Sequence, residues 1–405
     1  MGWIGLDDTD SLDGGCTTWD FHKLLTLIEG LDYVQVKIPR LVRLWPFAPH
    51  RTRGNAALSC EIKLPEENIF EFIKFLDNWF SKTYSKDGDP LSESHPTLIW
   101  SNDQPPESWY WDSVRGYVNP DLRLQDIESL SHMKCWYRNS NRGIVGASSS
   151  IAWRGNNDWT WEATAWRERC KIGTKRMVSN SRVLGMSELF VDTILNRNPN
   201  MHKSLIAPRT PCPVLYGIRS ETADSAKNAH NWLQEHDDVE RAFSMRVHRS
   251  NQATDDHILG IAKGVVISKT TEVKGGHASI SVFSNGRRET LVAFKQGGLV
   301  NTLLRESTPG DVVEWRGIKS IDGCLHLESL VVIDSVPRNL NRPKCICGNR
   351  LHRQGKGQPL LCSACGNTSF SYWLSDKFSG EGKWVQPPPE HRRHLTKPLN
   401  RQSKV

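Results

Sequence analysis

The sequence predicts a multidomain α+β protein that ends in a small β-barrel and a metal-binding module. Three observations favour this class. Predicted strands and helices alternate in the first part of the chain, β signals are dense between Ile258 and Val336, and two close cysteine pairs follow. At 405 residues, the chain is long enough for about three domains.

The first two predicted units are mixed α/β layers, at residues 1–130 and 131–245. Apolar residues alternate where strands are expected and recur every three to four positions where helices are expected. In the second unit we expect a strand at 214–219 and an amphipathic helix after Thr222. The elements expected in the first unit are strands at 3–8, 34–44 and 56–64 and helices at 18–30 and 66–82.

Residues 255–337 carry the densest β signals in the chain. Five runs of alternating or β-branched residues are separated by turns, and an apolar helical stretch lies between the third and the fourth. Five strands with a helix in that position are the sequence pattern of an OB-fold β-barrel.

Two cysteine pairs, Cys345 with Cys347 and Cys362 with Cys365, lie in the next predicted module, residues 338–374. Four thiolates satisfy the tetrahedral preference of Zn²⁺, so the spacing predicts a structural zinc ribbon. The first pair is C-x-C rather than the usual C-x-x-C, and His352 remains an alternative ligand.

The charge of the chain is concentrated at its C-terminal end. The formal net charge is +7, while residues 338–405 alone contain 13 Lys/Arg and 3 Asp/Glu. A basic module on a nearly neutral body favours a polyanionic partner, with nucleic acid first, although a solvated tail would look the same. We expect residues 375–405 to be a basic, Pro-rich, disordered tail.

Composition and cysteine usage predict a soluble cytoplasmic protein. No run of eighteen apolar residues occurs, and the first residues lack a basic segment followed by an apolar one. Ten cysteines are scattered apart from the one cluster, which fits a reducing compartment with a metal site better than a disulfide framework.

The most informative segment is GLDDTDSLDGGCTT at residues 5–18. Asp7, Asp8 and Asp10 follow a short buried strand and precede a helix, whose N-terminus attracts phosphate. Carboxylates beside a phosphate site can hold Mg²⁺, and no Walker sequence GxxxxGK[ST] occurs in the chain. The alternative is a solvated loop that caps the helix.

Two further stretches are candidates for ligand contact. Arg51, Arg53, Gly54 and Asn55 form an arginine-flanked turn that can clamp phosphate, or remain a solvated loop. Residues 142–150, RGIVGASSS, are small enough for a close ligand or backbone approach, or for a tightly packed helix junction.

Taken together, these motifs resemble those of the agmatidine synthetases, the archaeal TiaS family of tRNA-modifying ligases. The resemblance extends from the first residues through the predicted ribbon. The matching segments, in order, are GLDDTDSLDGGCTT, HRTRGNAA at 50–57, RGIVGAS at 142–148 and IAPRTPCPVLYGIRSE at 206–221, followed by the barrel and the cysteine cluster. Ser220 stands where the family usually has a glycine.

The resemblance implies a kinase-like first domain, a ferredoxin-like second domain, and OB-fold and zinc-ribbon modules that grip tRNA. It implies ATP-dependent ligation of agmatine to C2 of the wobble cytidine in the isoleucine tRNA with a CAU anticodon. The 2-oxygen is phosphorylated and displaced by the amine, ATP ends as AMP and phosphates, and the tRNA then reads AUA.

The resemblance also implies roles for particular residues. Asp7, Asp8 and Asp10 would hold Mg²⁺ and orient ATP, and the arginine-flanked turn would bind the ATP phosphates. Thr17 best matches a threonine that becomes phosphorylated in the family, with Thr18 second. The candidates for agmatine binding are Gly143, Ser148, Arg219 and Glu221.

Two other functions remain compatible with the sequence. A non-catalytic protein that binds single-stranded nucleic acid would also carry an OB-fold and a zinc ribbon, and it would have no use for the acidic loop. A related RNA-modifying ligase with another amine substrate would keep the ATP-binding residues.

Overall fold

The computed structural model describes residues 1–11, 15–51, 54–84, 94–201, 203–338, 340–370, 374–375 and 378–402. The chain divides into two compact units. The first consists of Met1–Leu259 together with Pro389–Val405, and the second of Gly260–Pro388. No helix in the described part of the chain is both long and apolar enough to cross a membrane.

The first unit is built on one mixed sheet. The strands of this unit are β1 (Gly2–Asp7), β2 (Gln35–Val36), β3 (Arg40–Arg43), β4 (Ala56–Lys63), β5 (Thr97–Ser101), β6 (Met133–Tyr137), β7 (Thr160–Trp166), β8 (Arg197–Asn198), β9 (Lys203–Ser204), β10 (Val214–Ser220) and β11 (Ser244–Ser250). Of these, β8 and β9 form a separate two-stranded sheet. The helices of the unit are α1 (Thr17–Glu29), α2 (Ile69–Thr83), α3 (Ser108–Arg115), α4 (Pro120–Glu128), α5 (Ile144–Ala152), α6 (Asn180–Leu189) and α7 (Ala223–Gln234), with 3₁₀ turns at Glu66–Asn68 and Arg169–Lys171.

The strand order of the mixed sheet is β10-β7-β11-β3-β4-β1-β5-β6, with β2 paired to β4. Strand β1 lies between β4 and β5, antiparallel to both, so that Leu6 is opposite Leu58 and Leu98. Because successive side chains alternate between faces, Ile4 and Leu6 pack with α1 and α2 on one face. The side chain of Asp7 points to the opposite face, where α5 packs.

Near residue 130, where the sequence predicts a boundary between two units, the structure has one continuous sheet. Strand β6 pairs with β5 along its whole length, and α5 packs against β1 and β4. Ile144 and Ile151 of α5 share a core with Ile99 of β5. Since the same sheet continues through β7, β10 and β11, the two predicted layers meet within one sheet rather than at a linker.

The expected strand at 34–44 is two strands in the structure. Strands β2 and β3 both pair with β4 but are separated by the segment around Pro39. Proline lacks the N–H that a central ladder requires, which explains the interruption. The other elements expected in the first 82 residues lie within a few residues of their predicted positions.

The second unit contains a closed barrel of five strands, as the sequence predicts. Strands β12, β14, β15, β16 and β17 pair in the circuit β12-β16-β17-β15-β14-β12, and α8 lies between the third and the fourth of them in sequence. The elements of this unit are β12 (Ala262–Val266), β13 (Thr271–Val273), β14 (His277–Ser284), β15 (Arg287–Ala293), α8 (Leu299–Glu306), β16 (Val312–Lys319), β17 (Leu325–Asp334), β18 (Leu340–Asn341), β19 (Leu351–Arg353), β20 (Leu360–Cys362), β21 (Thr368–Ser369) and β22 (Leu374–Ser375), with a 3₁₀ turn at Lys295–Gly297.

The end of the chain returns to the first unit. A 3₁₀ turn at Pro389–His391 is followed by the short helix α9 (Leu399–Gln402). Leu395 is only 2% exposed, within the core that contains α3 and α5. The expectation of a disordered tail is therefore wrong for residues 389–402, because this basic segment has apolar and acidic partners on the first unit.

Candidate active site

Two cavities of the first unit contain residues of the acidic segment. The larger has a volume of about 390 Å³ and the smaller about 110 Å³. Asp10, Thr17 and Thr18 line the larger cavity, whereas Asp7 and Asp8 line the smaller one. The carboxylates that the sequence groups together are therefore divided between two cavities.

Asp7 is the last residue of β1, and its side chain lies against the first turn of α5. A Cβ atom on Gly146 would lie 1.7 Å from Asp7 Oδ2, so only glycine permits this approach. A Cβ on Gly5 would lie 2.4 Å from the Ala147 carbonyl oxygen. Together the two glycines bring the N-terminal turn of α5 to the carboxylate, where the helix dipole stabilises negative charge.

Asp8 adopts a strained backbone and is held by an arginine. Its φ of 56° lies in the left-handed region, which a non-glycine residue adopts at an energetic cost. Arg142 Nε lies 2.6 Å from Asp8 Oδ2, and Arg142 Nη2 lies 3.4 Å from Oδ1. Burial raises the pKa of Asp8 to about 6, although the Arg142 guanidinium opposes this shift.

Asp7 carries unfavourable negative charge that a bound cation would offset. The pKa of Asp7 lies well above its usual value. Burial is the main cause, followed by the negative charge of Asp8 and, to a smaller extent, that of Asp10. A divalent cation would offset this repulsion, and carboxylate oxygens are the ligands that Mg²⁺ prefers. The carboxylates of Asp7 and Asp8 are therefore chemically suited to Mg²⁺, whereas Asp10 lines the other cavity and is not grouped with them.

Asp10 caps helix α1. Its Oδ1 accepts a hydrogen bond from the Thr17 main-chain N–H at 2.9 Å and lies 3.5 Å from Thr17 Oγ1. Cys16 occupies the N-cap position but provides no side-chain cap. Asp10, which lies outside the helix, therefore satisfies a main-chain N–H of the first turn instead. The Thr18 hydroxyl accepts from Trp166 Nε1 at 3.2 Å. Both threonines thus face the larger cavity at a helix N-terminus.

The arginine-flanked turn reaches both cavities. Arg51 and Asn55 line the smaller cavity, and Gly54 lines the larger one. Arg51 and Asn55 each donate to a nearby main-chain carbonyl, at 3.1 Å and 2.8 Å respectively. Arg53 lies outside the described residues.

Of the four residues predicted to bind the amine, one lines a cavity and a second lies next to a cavity residue. Arg219 lines the larger cavity. Gly143 immediately precedes α5, and a Cβ atom there would lie 3.0 Å from the Cβ of Asp8. The Cβ atom of a larger residue at position 143 would also lie 2.7 Å from Thr97 Oγ1 and 2.9 Å from the His95 carbonyl oxygen, so close packing requires glycine there.

The other two have structural partners instead. Ser148 is fully buried, and its Oγ accepts from Arg123 Nη1 at 3.1 Å. Glu221 accepts from Arg401 Nε at 3.0 and 3.1 Å. Neither residue lines either of the two cavities. Both polar groups are paired within the fold, and their direct contact with the amine stays a prediction.

The larger cavity contains a buried carboxylate that no sequence motif indicates. Glu162, in β7, lies 3.8 Å from Arg43 Nη2 and 4.0 Å from Arg219 Nε, and Gln252 donates to it. Although burial opposes its ionisation, the two guanidinium groups lower the pKa of Glu162. These residues come from four different strands or loops, and no local spacing links them.

The sequence also does not indicate that the C-terminal end contributes residues to the larger cavity. Arg392, Arg393 and His394 line the larger cavity. The positive charge of Arg43, then burial, then Arg219 lowers the pKa of His394 well below its usual value. The only sequence signal was the basic composition of the tail, which does not show where the tail docks.

The four predicted zinc ligands do come together in the second unit. The Sγ atoms of Cys345, Cys347, Cys362 and Cys365 all lie within 4.8 Å of one another. Four mutually close thiol groups without disulfide bonds fit a tetrahedral zinc site. His352 is exposed and is not part of this group.

Comparison with known proteins agrees with this arrangement. A family model described as the TiaS TCKD domain matches residues 3–68, and one described as the TiaS FLD domain matches residues 141–257. The isoleucine-tRNA 2-agmatinylcytidine synthetase TiaS of Staphylothermus marinus is 30% identical over 98% of this chain and 93% of its own. The protein of the same name from Pyrococcus horikoshii is also 30% identical, over 98% of this chain and 96% of its own.

Solved structures give the same result. Apo TiaS, described as an isoleucine-tRNA agmatidine synthetase, is 25% identical and superposes with a TM-score of 0.82 over 99% of this chain and 97% of its own. A complex of TiaS with its isoleucine tRNA and ATP, also 25% identical, gives 0.80 over the same shares. The fold and cavities define a multidomain mixed α/β protein with a five-stranded barrel, a four-cysteine cluster and a ligand cavity rich in arginine. The chain belongs to the TiaS family.

Proposed function

We propose that this protein is an ATP-dependent ligase that attaches agmatine to C2 of the wobble cytidine in the isoleucine tRNA with a CAU anticodon. The observation that carries this proposal is the relatedness to TiaS proteins over 98% of the chain. The relatives are named for making 2-agmatinylcytidine in an isoleucine tRNA, and a solved relative contains that tRNA and ATP.

The larger cavity is suited to the ATP phosphates. Its volume of about 390 Å³ lies in the range of small-molecule sites. The N-terminal turn of α1, the hydroxyl groups of Thr17 and Thr18, and the guanidinium of Arg43 all face it. A helix N-terminus with neighbouring arginines is a favourable phosphate site. We assign the phosphorylated threonine to Thr17, with Thr18 as the alternative.

The residues of the acidic segment would support phosphoryl transfer. Asp7 and Asp8 would hold Mg²⁺, which neutralises phosphate charge when bound, and Asp10 would orient ATP from the larger cavity. Arg142 fixes the Asp8 carboxylate, and Arg51 and Asn55 lie beside it in the smaller cavity. Phosphoryl transfer depends mainly on positioning and charge neutralisation, which this arrangement provides.

The reaction balances step by step. The cytidine 2-oxygen takes the terminal phosphoryl group of ATP, which converts a poor leaving group into a good one. Water then releases a second phosphate from the remaining ADP, so that ATP ends as AMP. The primary amine of agmatine then attacks C2, the C2–O bond breaks, inorganic phosphate leaves with the oxygen, and the amine loses a proton. Arg219, which lines the larger cavity, and Gly143, which lies next to Asp8, remain the candidates for amine binding.

The finer domain assignment belongs to the same proposal. We assign residues 1–130 to a kinase-like domain, 131–245 to a ferredoxin-like domain, 255–337 to an OB-fold and 338–374 to a zinc ribbon. The closed five-stranded circuit supports the OB-fold, and the four close thiol groups support a zinc ribbon. Both modules would contact tRNA.

The test is mass spectrometry of nucleosides from the CAU isoleucine tRNA after incubation with the protein, ATP and agmatine. We expect a wobble cytidine heavier by agmatine minus water, and no change when ATP is omitted. ATP consumption without this product would indicate another amine or tRNA. Binding of tRNA with neither ATP use nor product would favour the non-catalytic single-strand-binding alternative.

A further inference from the structure

The C-terminal segment, residues 389–402, belongs to the first unit although the whole second unit precedes it in the chain. Main-chain hydrogen bonds hold it there. The Ala253 N–H donates to the His394 carbonyl at 2.8 Å, and the Asp255 N–H donates to the Leu395 carbonyl at 2.9 Å. Leu395 is almost completely buried among side chains of α3 and α5.

Ion pairs fix the far end of the C-terminal segment. Arg401 Nη1 and Nη2 lie 2.7 and 2.6 Å from the two carboxylate oxygens of Asp158, and its Nε lies 3.0 Å from Glu221 Oε1. Lys397 Nζ also donates to Asp158, at 3.0 Å. Bidentate pairs of this kind, less than a quarter exposed, hold geometry better than surface pairs.

Just after the 3₁₀ turn at Pro389–His391, the C-terminal segment forms part of the larger cavity. Arg392, Arg393 and His394 line it. With these, the lining contains five arginines against three carboxylates: Arg43, Arg209, Arg219, Arg392 and Arg393 against Asp10, Glu162 and Glu390.

This excess of positive charge is costly without an anion. Burial, together with the nearby charge of Arg51, lowers the pKa of Arg393 to about 10. The charges of Arg43 and Arg219 act in the same direction on His394. An anion with several negative oxygens would relieve this repulsion, and the α1 N-terminus with Thr17 and Thr18 lies in the same cavity.

We propose that the C-terminal segment completes the nucleotide site, with Arg392 and Arg393 binding phosphate oxygens of ATP and Arg401 acting as a positioning residue. This inference rests on the proposed function, because it names the substrate that the cavity takes. It also gives Glu221 and Asp158 a role, since they anchor the segment rather than contact the ligand.

The experiment compares full-length Arg393→Ala and Arg392→Ala with Arg241→Ala, a matched control that removes one exposed arginine of the same unit. The dissociation constant for ATP–Mg²⁺ is measured by calorimetry, and the KM for ATP in tRNA modification is measured in parallel. Since charge-assisted hydrogen bonds to phosphate are strong, we expect each cavity variant to weaken ATP binding by ~10- to 100-fold. The control should bind ATP as the wild type does.

Arg401→Ala tests the positioning role, because this guanidinium does not line the cavity. It should raise the KM for ATP while leaving kcat at saturating ATP close to the wild-type value. A thermal melt separates this from unfolding. Unchanged ATP affinity in all three variants would overturn the inference, whatever the effect on the melting temperature.

The two proposals fail in different ways. If the wild type modifies tRNA but the cavity variants bind ATP normally, the C-terminal segment has no part in the site while the proposed function stands. If the wild type binds ATP through these arginines but leaves tRNA unmodified, the inference stands and the proposed function fails.

Discussion

Arg142 holds the carboxylate of Asp8 across 134 positions of sequence, with Nε 2.6 Å from Oδ2 and Nη2 3.4 Å from Oδ1. Asp8 immediately follows β1 and has a left-handed conformation, and Arg142 lies just before α5. The pair therefore ties the strand that supplies the carboxylates to the helix that packs beneath them.

Asp8→Asn should lower ATP turnover by about 100-fold or more, since it removes charge from a preorganised phosphoryl-transfer site while keeping the shape of the side chain. Affinity for tRNA should be unchanged. Asp237→Asn, at a fully exposed carboxylate, is the control. Turnover equal to that of the wild type would contradict the assignment of Asp8 to the catalytic site.

Gly146→Ala should abolish activity, because its methyl group would lie 1.7 Å from Asp7 Oδ2 and must displace either the carboxylate or α5. Gly30→Ala introduces the same methyl group at 3.4 Å from its nearest neighbour, the Leu27 carbonyl oxygen, and should be tolerated. Steady-state kinetics and thermal melts of both variants check this. Full activity in Gly146→Ala would show that α5 and Asp7 can move apart freely.

The buried pair between Arg167 and Glu240 should be important for the stability of the first unit. Arg167 Nη2 lies 2.6 Å from Glu240 Oε2, with both side chains less than a tenth exposed. Glu240→Gln leaves a buried guanidinium without its counter-charge. The free energy of unfolding, measured in urea, should therefore fall by about 3 kcal/mol. Asp238→Asn breaks the exposed pair with Arg182 and should leave the urea midpoint unchanged.

Acid should destabilise the first unit through His230. Burial lowers the pKa of His230 to about 4, and its Nδ1 lies 3.0 Å from the Tyr216 hydroxyl. The unfolded chain therefore binds the proton more readily. This contribution is complete above pH ~6.5 and is lost as the pH falls towards 4, by on the order of 3 kcal/mol.

Urea unfolding of His230→Gln between pH 7 and pH 4 checks this prediction. The glutamine can accept the Tyr216 hydroxyl hydrogen bond but does not titrate, so the variant should lose less stability over this range than the wild type. An identical pH dependence in both proteins would assign the acid sensitivity to other groups.

Zinc content should depend on the cysteines alone. Cys347→Ser should lower bound zinc, measured by elemental analysis, because it removes one of four mutually close sulfur ligands. His352→Ala should retain the metal, since His352 is exposed and outside the cluster. Loss of zinc in His352→Ala would show instead that this histidine is a zinc ligand.

Much of the fold could be predicted from local sequence. The five barrel strands, the helix among them and the cysteine cluster follow from period-two alternation, turn residues and spacing, which are properties of neighbouring residues. The interruption at Pro39 and the continuation of one sheet through both halves of the first unit were not predicted. Strand pairing depends on residues far apart in the chain, which local patterns do not reveal.

The candidate site shows the same division. The sequence by itself determined the acidic segment, the arginine-flanked turn and the thiol groups, because each is a short run with one kind of chemistry. Only the tertiary structure decided that Asp7 and Asp10 line different cavities, and that Glu162 lies between Arg43 and Arg219. It also decided that a basic C-terminal segment docks on the first unit. Burial and long-range ion pairing set these positions, and both depend on distances in space that spacing along the chain does not encode.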